Sequence, residues 1–429
     1  MARVHKFDFS PARAMARVSR IFDEAVEMGA LLQTAGSYEG RRVEFEGKML
    51  YNFGSCSYMA LEKHHDLRFA AASAAYEYGT QFSFSRAYLD CALYQELEAN
   101  LALMTDRPVL VTPSTTLAHL AALPVLIRNE DAVIIDQFAH ASLHQATELL
   151  RDTPVRLVRH SRMDLLDQLI GEAIPKHERV WLIMDGLYSM LGDFAPFAEL
   201  KKLLDRYPQL HLYIDDAHSV SWTGKHGRGA ALAHFGAHDR VIVALSLNKA
   251  FSCAGGALAL PSNELKSRIR RCGGPMLFSG PIQPPMLGAA VASSRLHLST
   301  EHEERQNQVV HRIDYLLEVA EEVGLPLMTH EKTPIFLMEC DSVRQSFDTA
   351  YQLRERGFYA CSSVFPAVPL NRPGVRFTVG LHNEFEDIEN FVFAAKLSLT
   401  STAMTRSQGI VECNESDHFA LSTNGKDSC

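Results

Sequence analysis

Short, continuously apolar runs alternate with helical patterns through the middle of the chain. Runs such as AVII, WLIM and VIVAL contain no polar position, which is typical of strands that are buried on both faces of a parallel sheet. Segments of helical periodicity separate these runs, as in strand–helix–strand units. We predict strands over 108–112, 131–136, 155–160, 179–185, 211–215, 241–246 and 256–260, and helices over 140–151, 163–172 and 196–206.

The pattern changes after Pro284. A long helical region over 285–323 leads to shorter strand patterns and a closing helix, which predicts a second, smaller α+β domain. Its predicted strands cover 334–340, 358–364 and 374–379, and its closing helix covers 384–397.

The two ends of the chain differ from this body. Near the start, Val18, Ile21, Phe22, Ala25 and Met28 fall on one face at helical spacing, which predicts an amphipathic helix. The last residues lose periodicity and turn polar, as in a flexible tail. We predict an N-terminal helical segment over 1–50, a large α/β domain over 51–284, a linking helix and small domain over 285–400, and a polar tail over 401–429.

Composition narrows the class of protein. The 429 residues include 42 basic and 51 acidic side chains, a formal net charge of −9, which argues against nucleic acid as a partner. No apolar run reaches the length of about 18 residues that a membrane span needs. Eight cysteines are scattered without a CxxC pair, so we expect no disulfide framework and a cytoplasmic, reducing setting.

Polar side chains cluster where the predicted strands end, which is where open α/β sheets bind ligands. The motifs concerned are Asp136-Gln-Phe-Ala-His140, Asp185-Gly-Leu-Tyr-Ser189, Asp215-Asp-Ala-His218 and Ser246-Leu-Asn-Lys249. No GxGxxG or GxxxxGK[ST] motif offers a nucleotide site. His140 and His144 could pair on a metal, but no third ligand presents itself, so we predict no metal. A lysine with carboxylates, imidazoles and hydroxyls suits an electron-sink cofactor.

The order of these motifs resembles the α-oxoamine synthase family. The resemblance runs from about Tyr51 to Leu397 and is most specific over 185–196 and 215–218, with Phe278-Ser279 following the lysine motif. Members are fold-type-I pyridoxal-phosphate enzymes that condense an amino acid with an acyl thioester. The resemblance therefore implies a large domain with a mostly parallel seven-stranded sheet flanked by helices, a small C-terminal α+β domain, and pyridoxal 5'-phosphate as cofactor.

The resemblance also implies roles for individual residues. Lys249 would hold the cofactor as a Schiff base and then act as the base at Cα. Asp215 would pair with the pyridine nitrogen, which keeps the ring protonated. His218 would hydrogen-bond the phenolic oxygen, with Ser189 nearby, and His140 would stack on the ring. The other cofactor-binding candidates are Ser114, Thr115, Thr116, Asp185, Ser246 and Ser279, and the substrate-binding candidates are Ser57, Arg86 and Arg376.

Some positions depart from the family pattern. Thr115 and Ser252 stand where other members carry glycine, and Cys56-Ser57 replaces an Asn-Asp pair. These departures, together with Phe84-Ser85-Arg86-Ala87, favour a divergent aminoketone-forming or natural-product member.

The leading hypothesis for function is a homodimeric acyltransferase. Its partners would be an amino acid and an acyl-CoA or acyl-carrier thioester, and its product an α-aminoketone, usually after loss of CO₂. One alternative keeps the cofactor but makes the enzyme an aminotransferase or a side-chain lyase, since the same groups serve these reactions. The other is a catalytically silent partner subunit, against which the presence of Lys249 argues.

Overall fold

The computed structural model describes residues 11–409. Its strands are β1 Arg42–Phe45, β2 Lys48–Asn52, β3 Val109–Thr112, β4 Ala132–Asp136, β5 Val155–Val158, β6 Val180–Asp185, β7 Leu210–Asp215, β8 Val241–Ser246, β9 Gly256–Ala259, β10 Ile335–Glu339, β11 Phe358–Tyr359, β12 Cys361–Ser363 and β13 Gly374–Thr378. Its helices are α1 Pro11–Glu27, α2 His65–Tyr78, α3 Ala92–Thr105, α4 Thr115–Leu126, α5 Ala141–Thr147, α6 Met163–Ala173, α7 Phe197–Arg206, α8 Ala230–Phe235, α9 Asn263–Cys272, α10 Gly274–Phe278, α11 Pro284–His297, α12 Thr300–Glu322, α13 Val343–Glu355 and α14 Phe385–Gly409.

A seven-stranded sheet forms the centre of the large domain, which confirms the predicted fold class. The strand order is β3-β9-β8-β7-β6-β4-β5, and β9 alone runs antiparallel to its neighbours. The apolar runs explain this arrangement, because alternate side chains of one strand enter two different cores. In β6, Leu182 and Met184 pack into one core, and Trp181 and Ile183 into the core on the other face.

Two small three-stranded sheets lie outside the large sheet, one formed by strands of the C-terminal part of the chain and the other by two N-terminal strands and one C-terminal strand. One has the order β10-β13-β12 and is antiparallel throughout; the other has the order β1-β2-β11, with β2 and β11 parallel. A hairpin therefore replaces helix in the last part of the predicted N-terminal helical segment. Glu46 and Gly47 both adopt positive φ angles, which suits the tight turn of a two-residue hairpin.

Two further expectations need correction. The predicted linking helix is two helices, α11 and α12, which are separated by Leu298 and Ser299. The closing helix α14 continues to Gly409, so the first nine positions of the predicted polar tail are helical, and the remainder of that tail lies outside the described residues. The domain boundaries themselves stay predictions.

Helix α1 packs as the amphipathic pattern predicts, with one exception. Ala25 is fully buried against Phe347 and Val364, with Ile21 and Met28 beside it. Phe22 remains 41% exposed. Over residues 11–409 no helix has both the length and the apolar character that a membrane crossing requires.

Candidate active site

Four parallel strands end at one edge of the large sheet and bring the polar motifs together. Asp185 at the end of β6 lies beside Asp215 at the end of β7 in the strand register. Ser246 ends β8 and faces Gly256 at the start of β9. Because strands β4, β6, β7 and β8 are parallel, their carboxyl ends meet at this one edge, which is the usual ligand position in such sheets.

A cavity of about 190 Å³ opens at this edge. Nine of the predicted site residues line it: Ser114, Thr115, Thr116, His140, Asp185, Asp215, His218, Ser246 and Lys249. Ser142, Leu187, Ala217 and Asn248 complete the lining. The five other candidates, Ser57, Arg86, Ser189, Ser279 and Arg376, lie outside this lining.

Asp215 is held ionised by a partner that sequence reasoning missed. His119 lies on α4 with its ring fully buried, and its Nε2 donates to Asp215 Oδ2 over 2.9 Å. The Tyr213 hydroxyl lies 2.9 Å from the other ring nitrogen. Burial alone would raise the pKa of Asp215, but His119 and the positive charge of Lys249 outweigh it and lower that pKa. The position of His119, one turn after Ser114-Thr115, is the only signal in the sequence that could have pointed to it.

The pKa of Asp185 is shifted in the opposite direction to that of Asp215. Burial, and next the negative charge of Asp215, raise the pKa of Asp185 well above its ordinary value. The backbone N–H of His140 donates to Asp185 Oδ1 over 2.9 Å. Asp185 therefore fixes the start of α5 from the end of β6, next to the Asp215 carboxylate.

His218 is a neutral hydrogen-bond donor in the cavity wall. Burial, and next the charges of Lys249 and Arg376, lower its pKa well below the ordinary value. Tyr58, another residue that the motifs did not reveal, places its hydroxyl 3.0 Å from Nδ1 of His218. Burial raises the pKa of Tyr58, so this hydroxyl keeps its proton and shares a hydrogen bond with Nδ1. In the tautomer in which Nδ1 accepts this bond, Nε2 of His218 carries the ring proton and can donate.

His140 stands at the mouth of the cavity. Its Nδ1 lies 2.7 Å from the Ser142 hydroxyl, and its backbone precedes the first turn of α5. Partial desolvation lowers its pKa, so the ring is neutral at physiological pH. A neutral imidazole that is held by its backbone and by Ser142 presents a flat face with little freedom to rotate.

Lys249 lies on a tight loop that joins β8 to β9. Asn248 accepts a hydrogen bond from the Gly255 N–H over 2.7 Å, and Leu247 accepts one from the Cys253 N–H, also over 2.7 Å. Ser252 closes the turn onto the Lys249 carbonyl and has a positive φ of 62°. These bonds fix the backbone under Lys249 while its side chain extends into the cavity.

The start of α4 supplies backbone donors at the other end of the cavity. The Ser114 hydroxyl accepts from the Leu117 N–H and caps the helix. The Thr115 hydroxyl donates to the Leu245 carbonyl over 3.2 Å, which ties the helix start to β8. A Cβ atom on Gly256 would come within 2.5 Å of the Thr115 nitrogen, so glycine is needed at this contact. The first N–H groups of a helix form an anion site.

Arg376 on β13 approaches the site from the small domain. The residue is 7% exposed, its Nε donates to the Ser189 carbonyl over 2.7 Å, and its Nη2 lies 3.7 Å from Cys56 Sγ. Its charge contributes to the low pKa of His218. Ser189 is therefore engaged through its backbone rather than its hydroxyl.

Arg86 and Ser57 face other partners. The Arg86 guanidinium donates to Asp90, Glu98 and the Val111 carbonyl. These contacts hold α3 against β3, and the predicted substrate-binding role of Arg86 stays a prediction. The Ser57 hydroxyl donates to Glu62 and lies 3.4 Å from the Ser252 hydroxyl in the Lys249 loop, and its predicted substrate-binding role also stays a prediction.

Ser279 follows α10 and is half-buried. Its hydroxyl lies 3.5 Å from the Gly280 carbonyl, at the outer limit of a hydrogen bond. Its predicted contact with cofactor stays a prediction that involves a second subunit.

Comparisons with known proteins identify the family of this chain. The family described as aminotransferase class I and II matches residues 48–392. The 8-amino-7-oxononanoate synthase of Thermoanaerobacter pseudethanolicus is 28% identical over 91% of this chain and 96% of its own length. The enzyme of the same name from Treponema denticola is 30% identical over 81% of this chain and 87% of its own.

A solved structure shares the fold. Serine palmitoyltransferase from S. paucimobilis, determined with bound PLP and myriocin, superimposes with a TM-score of 0.84. The match covers 92% of this chain and 99% of that one at 19% identity. Together with the synthase relatives, it confirms the resemblance to α-oxoamine synthases.

Proposed function

Because the chain belongs to the aminotransferase class I and II family, we propose that it condenses an amino acid with an acyl thioester and releases an α-aminoketone. The observation that carries this proposal is the convergence of Lys249, ionised Asp215, neutral His218 and the α4 N-terminus in one cavity. The curated relatives are named for an aminoketone acid, 8-amino-7-oxononanoate, and not for transamination.

The residues of the cavity fit pyridoxal 5'-phosphate, which is the cofactor of this family. Lysine, an ionised aspartate and a helix start with hydroxyl-bearing residues are the donor set that an aldehyde, a pyridine nitrogen and a phosphate need. The close approach of Gly256 to Thr115 leaves the helix start open to an anion. When bound, the cofactor supplies an aldehyde that links to amino groups and a protonated ring that withdraws electrons from Cα.

We assign each residue a task within this frame. Asp215, held in place by the bond from His119, would pair with the ring nitrogen. Lys249 would hold the cofactor through Nζ and would then serve as the base for the Cα proton at the same atom. His218 would donate to the phenolic oxygen, and His140 would stack on the ring. Ser114, Thr115 and Thr116, with Ser246, would bind the phosphate.

Arg376 is proposed to bind the carboxylate of the amino acid. Its guanidinium is buried and has no carboxylate partner among the described residues. Arginine suits this task because it can donate two parallel hydrogen bonds to one carboxylate. Its Nε is bonded to the Ser189 carbonyl, and its Nη2 contacts Cys56 Sγ, a weak acceptor that a carboxylate would displace.

A second copy of this chain is proposed to complete the site. Tyr88 and Phe278 are about nine-tenths exposed and Phe84 is 49% exposed. A hydrogen bond of 2.8 Å from the Ser85 hydroxyl to the Leu277 carbonyl joins the two segments that carry them. Exposed aromatic patches of this kind mark interfaces, and Ser279 follows Phe278 directly. We therefore propose a homodimer in which Ser279 reaches the partner's phosphate site, in a reducing cytoplasm.

The test uses purified protein loaded with the cofactor, a panel of amino acids and mixed acyl-CoAs. We expect borohydride to fix the cofactor on Lys249, and mass spectrometry to find an aminoketone together with free CoA thiol. Lys249→Ala should lower turnover by about 10²- to 10⁴-fold and abolish the fixed label. A keto acid as product would contradict condensation and favour transamination, and a label that persists elsewhere in Lys249→Ala would contradict the assignment of the lysine.

A further inference from the structure

A second, larger cavity shares one lining residue, His140, with the first. Its volume is about 520 Å³, within the usual range for small-molecule pockets. Three separate segments build it: residues 137–141, 188–191 and 365–369. Because His140 lines both cavities, a molecule bound in the larger cavity would lie next to the residues of the smaller one.

The wall of this cavity is predominantly apolar. Its main surfaces come from Phe138, Tyr188, Met190, Leu191, Phe365 and Val368. Behind them, Leu191 and Val368 pack on Leu337, with Met328 beside them. Leu337 is fully buried and Val368 is 3% exposed. An alkyl chain placed against this wall would lose its contact with water on most sides, which is favourable for apolar groups.

No lysine, arginine, aspartate or glutamate is among the described residues that line this cavity. His144 lines it, but burial lowers the pKa of His144, so its ring is neutral near pH 7. His160 lies behind the wall, with its ring centroid 4.8 Å from that of Phe138 and 4.3 Å from that of Tyr188. Its two nitrogens face Asp136 and Asp193, so its charge is already balanced.

We propose that this cavity binds the acyl chain of the thioester, and that this chain is an alkyl group without a charged end. This inference rests on the proposed function and names its substrate class. A carboxylate at the far end would be removed from water without a cation to pair with, which is costly. The curated relatives are named for a nine-carbon chain that ends in a carboxylate, so this chain would differ from them in the acyl group it accepts.

The binding test does not require turnover. The ligands are two non-reacting thioethers of CoA, S-heptyl-CoA and S-(6-carboxyhexyl)-CoA, titrated into the cofactor-loaded enzyme by calorimetry. We expect the heptyl compound to bind at least about 30-fold more tightly. Affinity should rise about fourfold with each added CH₂ until the cavity is full, with a negative heat-capacity change. Equal or tighter binding of the carboxylated ligand would overturn the proposal.

Two matched variants connect the preference to this wall. Met190→Lys places a cation inside the cavity and should reduce the preference for the heptyl ligand by at least about tenfold. Leu370→Lys adds the same charge directly after the 365–369 segment of the wall, at a residue that is 39% exposed and outside the lining, and should leave the preference unchanged. Cofactor absorbance and thermal melting check that both variants fold. An unchanged preference in Met190→Lys would overturn the assignment of the cavity.

The outcomes separate this inference from the proposed reaction. If the heptyl ligand is preferred but no aminoketone forms from any acyl-CoA, the alkyl site stands and the reaction is wrong. If an aminoketone forms but carboxyalkanoyl-CoA is the better substrate and ligand, the reaction stands and the alkyl site is wrong.

Discussion

The two cavities that share His140 are built in opposite ways. The smaller one contains Lys249 together with Asp215, whose pKa is lowered by His119 at 2.9 Å, and His218, whose pKa is lowered by burial. The larger one has an uncharged wall drawn from three loops that are far apart in the chain. Chemistry that moves protons needs fixed charges and donors, whereas a chain of CH₂ groups needs only a dry surface of the right shape. We infer that the smaller cavity determines the reaction and that the larger one determines which acyl chain is selected.

Of the changes that test this difference between the cavities, replacing Asp215 should have the largest effect on turnover. Asp215→Asn removes the anion while it keeps the shape of the side chain, and we expect turnover to fall by about 10²- to 10³-fold with cofactor still bound. Asp216→Asn should do far less, because Asp216 Oδ2 accepts from the Ala231 N–H over 2.9 Å and its side chain lies outside the cavity lining. Single-turnover rates of Cα proton exchange measure both variants. Equal losses would mean that the charge of Asp215 has no special role.

The sequence predicted the smaller cavity well and the larger one not at all. Asp185, Asp215 and Ser246 were recognisable because each ends an apolar run, and parallel strands bring such ends together. His119 and Tyr58 escaped notice because they lie on a helix and a loop, and only tertiary packing brings them to Asp215 and His218.

The sequence did not reveal the apolar cavity, and the reason is different. Residues such as Met190 and Val368 look like ordinary core positions in any sequence, since nothing in an apolar side chain indicates whether it faces protein or ligand. The β1–β2 hairpin, which lies where the sequence predicted a helical segment, was missed for a related reason. Its two short strands are stabilised by the pairing of β2 with β11, which is far away in the sequence.

Replacing Arg376 tests whether the substrate-binding region extends beyond the lining of the smaller cavity. Arg376→Ala removes a charged hydrogen-bond donor, which should weaken amino-acid binding by about 10- to 150-fold. The absorbance of the bound cofactor should not change, because Arg376 does not line the cofactor cavity. Spectral titration with the amino acid gives the dissociation constant. Arg376→Lys, which keeps the charge but loses the planar fork, should recover only part of the loss. A dissociation constant that is unchanged in Arg376→Ala would contradict the assignment.

His160 is a cation that lies directly behind the apolar wall of the larger cavity, so it tests whether charge behind that wall affects only the stability of the fold. Burial opposes its charge, but hydrogen bonds to Asp136 and Asp193 raise its pKa to about 9. A raised pKa stabilises the fold fully below the unfolded value of about 6.5, and this stabilisation is lost as pH rises through about 9. His160→Gln should therefore cost up to about 3 kcal/mol at pH 6 and much less at pH 9.5.

The measurement for His160 is urea unfolding of both proteins across this pH range at one protein concentration. A difference in unfolding free energy that does not vary with pH would show that the imidazole is not charged in the folded protein. The preference for alkyl ligands should be the same in His160→Gln at any pH, because the wall itself is unaltered.

The smallest expected effect concerns the loop beneath Lys249. Ser252 has a φ of 62°, a conformation that costs a non-glycine residue about 1–2 kcal/mol, whereas none of the described residues lining the apolar cavity has a positive φ. Glycine would relieve this strain but would also gain freedom in the unfolded chain, which offsets about 0.5–1 kcal/mol. The Ser252 hydroxyl contacts at 3.4 Å are too long to contribute much.

We therefore expect Ser252→Gly to raise the unfolding free energy by about 0.5–1 kcal/mol, measured by urea unfolding at a fixed protein concentration. Ser252→Ala is the matched control, since it also removes the hydroxyl but keeps the strained backbone, and it should give no gain. A gain of equal size in both variants would assign the effect to loss of the hydroxyl and not to relief of backbone strain. The proposed contrast between a strained loop under Lys249 and an unstrained wall around the larger cavity would then be wrong.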